Sequence, residues 1–247
     1  MSRSLIVLLP PSEAKRAGGS TTGGAGEFDR ALRAERRQVK RALNTFVRAS
    51  SPTALEAVLN VRGPLLERAV ASSKQIASGR APLLPAWQRY CGVVWTHLEP
   101  ASLTPEDRLR LWVPSALYGV TSAEEFIAEY RLKMNVRLTP LGNLAAFWRP
   151  RLTRVLEQHA PGATLVNLLP REHERAIDLP ALGTQREVVT VPFLSGTRAV
   201  AGHDAKAVKG VLARHVLREG LDGLHSFEWG HWKAKNIGGI TAIVSSK

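Results

Sequence analysis

The chain has 247 residues, 44% of them hydrophobic, with 34 Lys and Arg against 21 Asp and Glu. That apolar share is enough to bury a core. The formal net charge of +13 draws polyanions and phosphorylated molecules, although arginine spread over an ordinary surface gives the same count. A single cysteine, Cys91, excludes an internal disulfide, a CxxC redox pair and a cysteine-built zinc site.

Leu5-Ile6-Val7-Leu8-Leu9 predicts a buried strand, stopped by Pro10-Pro11. Five apolar residues are too few for a signal core or a membrane span, and no later run is longer. The expectation is a soluble, cytoplasmic chain with no membrane partner. The strand leads into Ser12-Glu13-Ala14-Lys15, which places a hydroxyl, a carboxylate and an amine at a rigid exit. Function and simple capping of a turn by Ser12 both fit that pattern. Residues 16–26, rich in Gly, Ser and Thr, predict a flexible loop long enough to act as a lid.

Glu27 to Arg48 predicts a helix. Phe28, Leu32, Val39, Leu43 and Phe46 recur at helical spacing, and Arg30, Arg33, Arg36, Arg37, Lys40 and Arg41 fill the rest. The basic residues form either a solvated face or one that tracks phosphates. Pro52 and Pro64 each open a helix, with Val61-Arg62-Gly63 between them. Residues 52–78 therefore suit a helix-hairpin-helix element whose amides face a phosphate, or a plain helix corner.

Cys91 lies in an apolar stretch and is expected to be buried and inert. Residues 112–120 predict a strand feeding a Gly turn. Residues 131–138 alternate strictly, with Leu132, Met134, Val136 and Leu138 on one face and Arg131, Lys133, Asn135 and Arg137 on the other. That is the pattern of a half-buried strand with a cationic stripe. Leu144 to His159 predicts a helix ended by Pro161-Gly162, followed by a short buried strand holding Asn167.

Glu187 to Leu194 and Arg198 to Gly202 predict a strand pair joined at Ser195-Gly196-Thr197. Asp204 caps a helix running to about Glu219, and 237–244 predicts a last strand. Lys206 and Lys209 lie one turn apart on that helix, beside His203, as a phosphate site or as an ordinary basic face. No repeat and no linker divides the chain, so the expected fold is mixed α/β (α+β), one compact domain over 1–247 with a central mixed sheet. Phosphate-loop, GxGxxG and HExxH motifs are absent. Arg171-Glu172-His173-Glu174-Arg175 lacks a second His four residues on, and no metal or cofactor is expected.

The polar clusters at strand ends resemble the YaaA family of peroxide stress proteins, in the form typical of actinobacteria. Leu8-Leu9-Pro10-Pro11-Ser12-Glu13-Ala14-Lys15 is similar to its LLPPSEGK, with Ala14 for Gly. Ser115-Ala116-Leu117-Tyr118-Gly119 is similar to S[AG]L[YW]G, and Tyr130-Arg131-Leu132-Lys133-Met134-Asn135-Val136-Arg137-Leu138 to YRLxMGxRL, with Asn135 for Gly. Leu144 to Pro150 is similar to LxxFWxP, Leu165 to Leu168 to the family's Asn- or Asp-bearing strand, and His203 to Gly210 to HxxKxxKG. The two lost glycines and the unmatched Trp-rich stretch 227–235 depart from the family and suit a specialised paralogue.

The resemblance implies a deep basic cleft, a helix-hairpin-helix element, DNA binding and a role in limiting oxidative DNA damage. Arg62 and Gly63 would lie at the hairpin. Lys15, Arg131, Arg137, Lys206, Lys209 and Arg214 would meet phosphates, and Tyr118 and Trp148 would stack on bases. Two readings stand. In one, the chain is a DNA-binding stress protein without turnover. In the other, Ser12, Glu13, Lys15, Tyr130, Asn167 and His203 form an enzyme cleft for a nucleotide, a nucleobase or another small anion, with Lys15 or Glu13 in acid–base or covalent steps.

Overall fold

A computed structural model describes residues 5–195, 198–200 and 202–246. The first strand, Leu5–Leu8, is buried along its whole length and lies at the centre of a five-stranded sheet. Strand Leu111–Ser115 lies parallel on one side of it, with Gly119–Ser122 antiparallel at that edge. Strands Thr164–Asn167 and Val188–Thr190 lie parallel on the other side. The chain thus crosses first to one flank of Leu5–Leu8 and then to the other. An open sheet leaves a crevice at such a reversal, outside the carboxyl ends of its strands. Here those ends are Leu8 and Asn167, which pair with each other.

The 187–194 stretch divides at Val191-Pro192, where proline cannot continue a central ladder. Val188–Thr190 stays in the first sheet, while Phe193–Ser195 enters a second one. There it pairs antiparallel with Arg198–Ala199, in the expected hairpin, and parallel with Ile240–Ser245. Residues 196 and 197, within the expected turn, lie outside the described residues. The expected single tail strand is a hairpin instead, Trp232–Ile237 against Ile240–Ser245, turning at Gly238 and Gly239 with φ of 60° and 83°. Strand Glu228–Trp229 closes this sheet.

Helix His203–Ser226 packs on both Leu5–Leu8 and Trp232–Ile237 and so joins the two sheets. The expected end near Glu219 is a break at Gly220, with φ 74°, after which the helix resumes. Gly210 lets this helix meet helix Val93–Leu98 backbone to backbone: a Cβ there would lie 2.2 Å from the Val94 carbonyl oxygen. Helices Pro52–Leu59 and Pro64–Ala77 form as expected, each with proline in its first turn, joined through a left-handed Asn60 and a positive-φ Gly63.

Residues 112–120 form the expected strand feeding a glycine turn, with Gly119 at φ 76° against the Trp148 ring and the chain returning antiparallel. Three further expectations fail. The 131–138 stretch is no continuous strand, because the chain turns at Met134 and Asn135, leaving only Arg137–Leu138 paired with Gly142–Asn143. Helix Asp29–Ala49 matches its pattern, but Arg36 is buried rather than solvated. It donates to the Tyr118 and Val120 carbonyls at 2.8 and 2.7 Å and pairs with Asp29 and with buried Glu125. Cys91 is exposed, not buried.

Candidate functional site

The loop after Leu5–Leu8 is held from several sides. The Trp95 indole donates to the Pro10 carbonyl at 3.0 Å, and Ser12 Oγ donates to the Ala14 carbonyl at 2.7 Å. Lys15 bridges Tyr90 through its backbone. Gly92 leaves room for Ser12, since a Cβ there would fall 2.4 Å from its Oγ. Arg89, fully buried, donates to the carbonyls of Arg16, Gly18, Pro82 and Ile127. With Ser20 also paired to Leu83, the glycine-rich segment is anchored along residues 16–20. No motif marked Arg89 as the clamp, because its partners are backbone oxygens up to 73 residues away.

The loop lines a small pocket with Leu59, Tyr130, Arg131, Leu132, Lys133, Glu172 and His173. Four expected residues, Ser12, Glu13, Lys15 and Tyr130, meet here, and Arg131 joins them. Lys15 keeps some exposed surface, but its ammonium is packed among protein atoms. Its Nζ donates to the Ser12 carbonyl at 2.6 Å and lies 4.0 Å from the Tyr130 ring centre and 5.4 Å from that of Tyr90. Burial, helped by the Arg131 charge, lowers its pKa to about 7, against the opposing pull of Glu13 and Glu129. The Tyr130 hydroxyl shares hydrogen bonds with Ser115 Oγ at 2.8 Å and the Tyr90 hydroxyl at 3.0 Å, and burial raises its pKa. At the mouth, exposed Glu13 sits 3.3 Å from the Lys133 ammonium and 3.7 Å from the Arg131 guanidinium.

Asn167, at the end of the neighbouring strand, accepts from the Leu169 amide and donates to Glu174 at 2.8 Å. It therefore fixes the short helix Arg171–Glu174, which carries Glu172 and His173 into the pocket wall. Burial, with the charges of Lys15 and Lys209, lowers the His173 pKa to about 4, so its imidazole is neutral. Its Nδ1 is buried and has no hydrogen-bond partner among the described residues. Lys209 donates to the Leu168 carbonyl at 2.9 Å and lies over the Phe193 ring; burial lowers its pKa to about 8. The Arg171–Arg175 cluster was visible in the sequence as a failed metal motif. Its proximity to Lys15 was not, since only the sheet brings the two strand ends together.

The other expected residues lie elsewhere. Tyr118 and Trp148 are core residues: the Tyr118 hydroxyl accepts from the Ala128 amide at 2.9 Å, and the Trp148 indole donates to the Ala116 carbonyl at 2.9 Å. Neither ring offers a face to a base. Arg214 pairs with Glu99, Arg62 with Glu56 at 3.4 Å, and His203 packs near His97. Arg137, Lys206 and Gly63 are exposed outside the pocket lining, with Lys206 one turn before Lys209. No group of three or more His, Cys, Asp or Glu suited to a metal ion occurs among the described residues.

A family profile described as peroxide stress protein YaaA matches residues 5–236. The chain belongs to the YaaA family. A UPF0246 protein of Corynebacterium efficiens is 32% identical over 220 residues, covering 85% of this chain and 84% of its own. A UPF0246 protein of Streptomyces coelicolor is 30% identical over 224 residues, covering 87% and 84%. One from Verminephrobacter eiseniae is 29% identical over 203 residues, covering 73% and 74%. The match to the YaaA profile thus spans both strand ends that build the pocket. No described helix is long and apolar enough to cross a membrane.

Proposed function

We propose that this YaaA-family chain binds a small anionic molecule in the Lys15 pocket, and that Lys15 acts there as a base or nucleophile. The observation that carries this reading is the Lys15 ammonium, buried against the Tyr130 ring with a pKa lowered to about 7. A lysine that only neutralises phosphates works best exposed and fully charged. One that is half neutral near pH 7 is poised to take a proton or attack an electrophile. Arg131 and Lys133 supply the charge that draws an anion to the mouth, and His173 adds a neutral imidazole to the pocket lining, its buried Nδ1 without a partner among the described residues. Calorimetric titration with AMP and with malonate tests the binding. Lys15→Met and Arg131→Met each weaken it; unchanged affinity in Lys15→Met, or no binding by the unaltered chain, overturns the reading.

The second reading, DNA binding in the peroxide-stress response, is favoured by a different surface. Arg30, Arg33, Arg37, Arg41 and Arg48 are all exposed on helix Asp29–Ala49. At 3.6 residues per turn they fall within an arc of about 80° and span about 27 Å of helix. A straight cationic ridge of that length suits a nucleic-acid backbone, without base readout. It needs neither Tyr118 nor Trp148.

A further inference from the structure

We infer that the substrate class of the Lys15 pocket is a small oxo acid, whose carboxylate displaces Glu13 from Arg131 and Lys133 and whose carbonyl carbon is attacked by the Lys15 amine. This inference rests on the small-anion reading above and goes one step further, to a covalent bond. The first support is Glu13 itself. Its side chain is 63% exposed and its contacts are loose, at 3.3 Å to Lys133 and 3.7 Å to Arg131. Such a surface pair is held weakly. Two cations at a pocket mouth already occupied by a carboxylate form a carboxylate site, and a ligand carboxylate can take the place of the side chain.

The second support is the setting of the amine. Its one hydrogen bond among the described contacts goes to the Ser12 carbonyl, and its remaining surroundings include the faces of two tyrosine rings. The neutral amine can form there without leaving an ion pair behind. Burial and Arg131 lower the pKa far enough for that form to exist near neutrality.

The bonding balances without a further reactant. The amine nitrogen forms a bond to the carbonyl carbon, and one nitrogen proton passes to the carbonyl oxygen, giving a carbinolamine. The second nitrogen proton leaves with that oxygen as water, giving the imine. His173 lines the same pocket, and its buried Nδ1 has no partner among the described residues, so its imidazole can hydrogen-bond to the bound oxo acid. The imine bond is thus built from the substrate carbonyl and Lys15 alone, with water as the product.

The test is reductive trapping. The protein is incubated near pH 7 with glyoxylate, pyruvate or 2-oxoglutarate and sodium cyanoborohydride, whose hydride converts an imine to a stable secondary amine. Intact mass and peptide mapping then locate the adduct. The expected result is one adduct, on Lys15, with saturable dependence on the oxo acid. Lys15→Arg, checked for an unchanged thermal unfolding profile, loses it. Arg131→Met raises the half-saturating concentration by about tenfold, the loss of roughly one charge contact, and also slows the limiting rate near pH 7, because Arg131 helps to keep the Lys15 amine neutral. Adducts spread evenly over the lysines, or absent from Lys15, overturn the inference. If no adduct forms while malonate or AMP still binds in a Lys15-dependent way, the oxo-acid inference falls and the small-anion reading stands. If neither adduct nor binding is seen, both fall.

Discussion

The Lys15 ammonium lies 4.0 Å from the centre of the Tyr130 ring, while the Tyr130 hydroxyl is engaged by Ser115 and Tyr90. Two opposed forces meet there. Burial and Arg131 favour the neutral amine, whereas the negative ring face favours the cation. A desolvated cation–π contact is worth about 1–2 kcal/mol, or about one pH unit of a lysine titration. Tyr130→Leu therefore moves the Lys15 titration downward by about one unit. Tyr130→Phe keeps the ring and leaves it nearly unmoved. NMR of 13C-methylated lysines, titrated from pH 5 to 11, reads both variants directly, and Lys209 serves as a second shifted lysine near 8.

The same cluster sets a pH dependence of stability. His173 titrates at about 4 when folded, against 6.5 as the ordinary value. Between those values the unfolded chain binds more protons, so stability falls as pH drops through the 6.5 to 4 window. Lys15, at about 7 instead of 10.5, gives the same sign higher up: stability rises with pH from 7 towards 10.5. Denaturant midpoints measured across pH check both. His173→Asn flattens the acid limb, and Lys15→Met flattens the alkaline one.

Arg36 and Glu125 form the deepest ion pair described in the chain, both side chains being 5% exposed or less. Burial raises the Glu125 pKa, and Arg36 opposes that rise. Arg36 also holds two backbone carbonyls around the Gly119 turn. Arg36→Met leaves a buried carboxylate and two carbonyls without their donor, which costs about 3–5 kcal/mol. Glu125→Gln keeps a hydrogen-bond acceptor and costs less. Urea unfolding of the two variants gives the order, and equal losses would contradict it.

What the sequence revealed was whatever depends on neighbours in the chain. The apolar run Leu5–Leu8 stopped by two prolines, the proline-started helices and the strand ending at Asn167 all carry local signals, and the structure contains each of them. The strand-end rule also brought Ser12, Glu13, Lys15 and Tyr130 into one pocket. Long-range partners were not legible. Arg36 looked solvated because Glu125, its counter-charge, lies 89 residues away. The alternation in 131–138 is real in burial, with Met134 and Leu138 inside, but alternation does not report the turn at Met134 and Asn135. Trp148 looked like a stacking ring because aromaticity alone does not say which side of Gly119 it will fill.

Helix packing next to Lys209 depends on one small residue. A Cβ at Gly210 would lie 2.2 Å from the Val94 oxygen and 2.7 Å from the Leu98 nitrogen. Both are backbone atoms of a facing helix and cannot swing aside. Gly210→Ala must push the helices apart, at a cost of about 1–3 kcal/mol. The same displacement shifts the neighbouring Lys209 from its 2.9 Å bond to the Leu168 carbonyl. The expected signature is a lower thermal midpoint together with a Lys209 titration moved back towards the ordinary lysine value. A stable variant with an unshifted Lys209 would show that the contact is not tight.

The arginine ridge makes a prediction that is independent of the pocket. Arg30, Arg33, Arg37, Arg41 and Arg48 are exposed, so a phosphate can reach their guanidinium groups directly. If a duplex lies along helix Asp29–Ala49, each arginine that meets a phosphate adds about 0.9 to the slope of log affinity against log salt. Replacing Arg33, Arg37 and Arg41 by Gln removes up to three such contacts. The slope then falls by about two to three, with affinity reduced alike for all sequences, because phosphate contacts carry no base information. Lys15→Met leaves that slope unchanged, since its buried amine lies in the pocket and not on the ridge. Fluorescence anisotropy with a labelled duplex across a salt series measures both. A slope lost in Lys15→Met and kept in the triple variant would move the DNA-binding surface from the helix to the pocket.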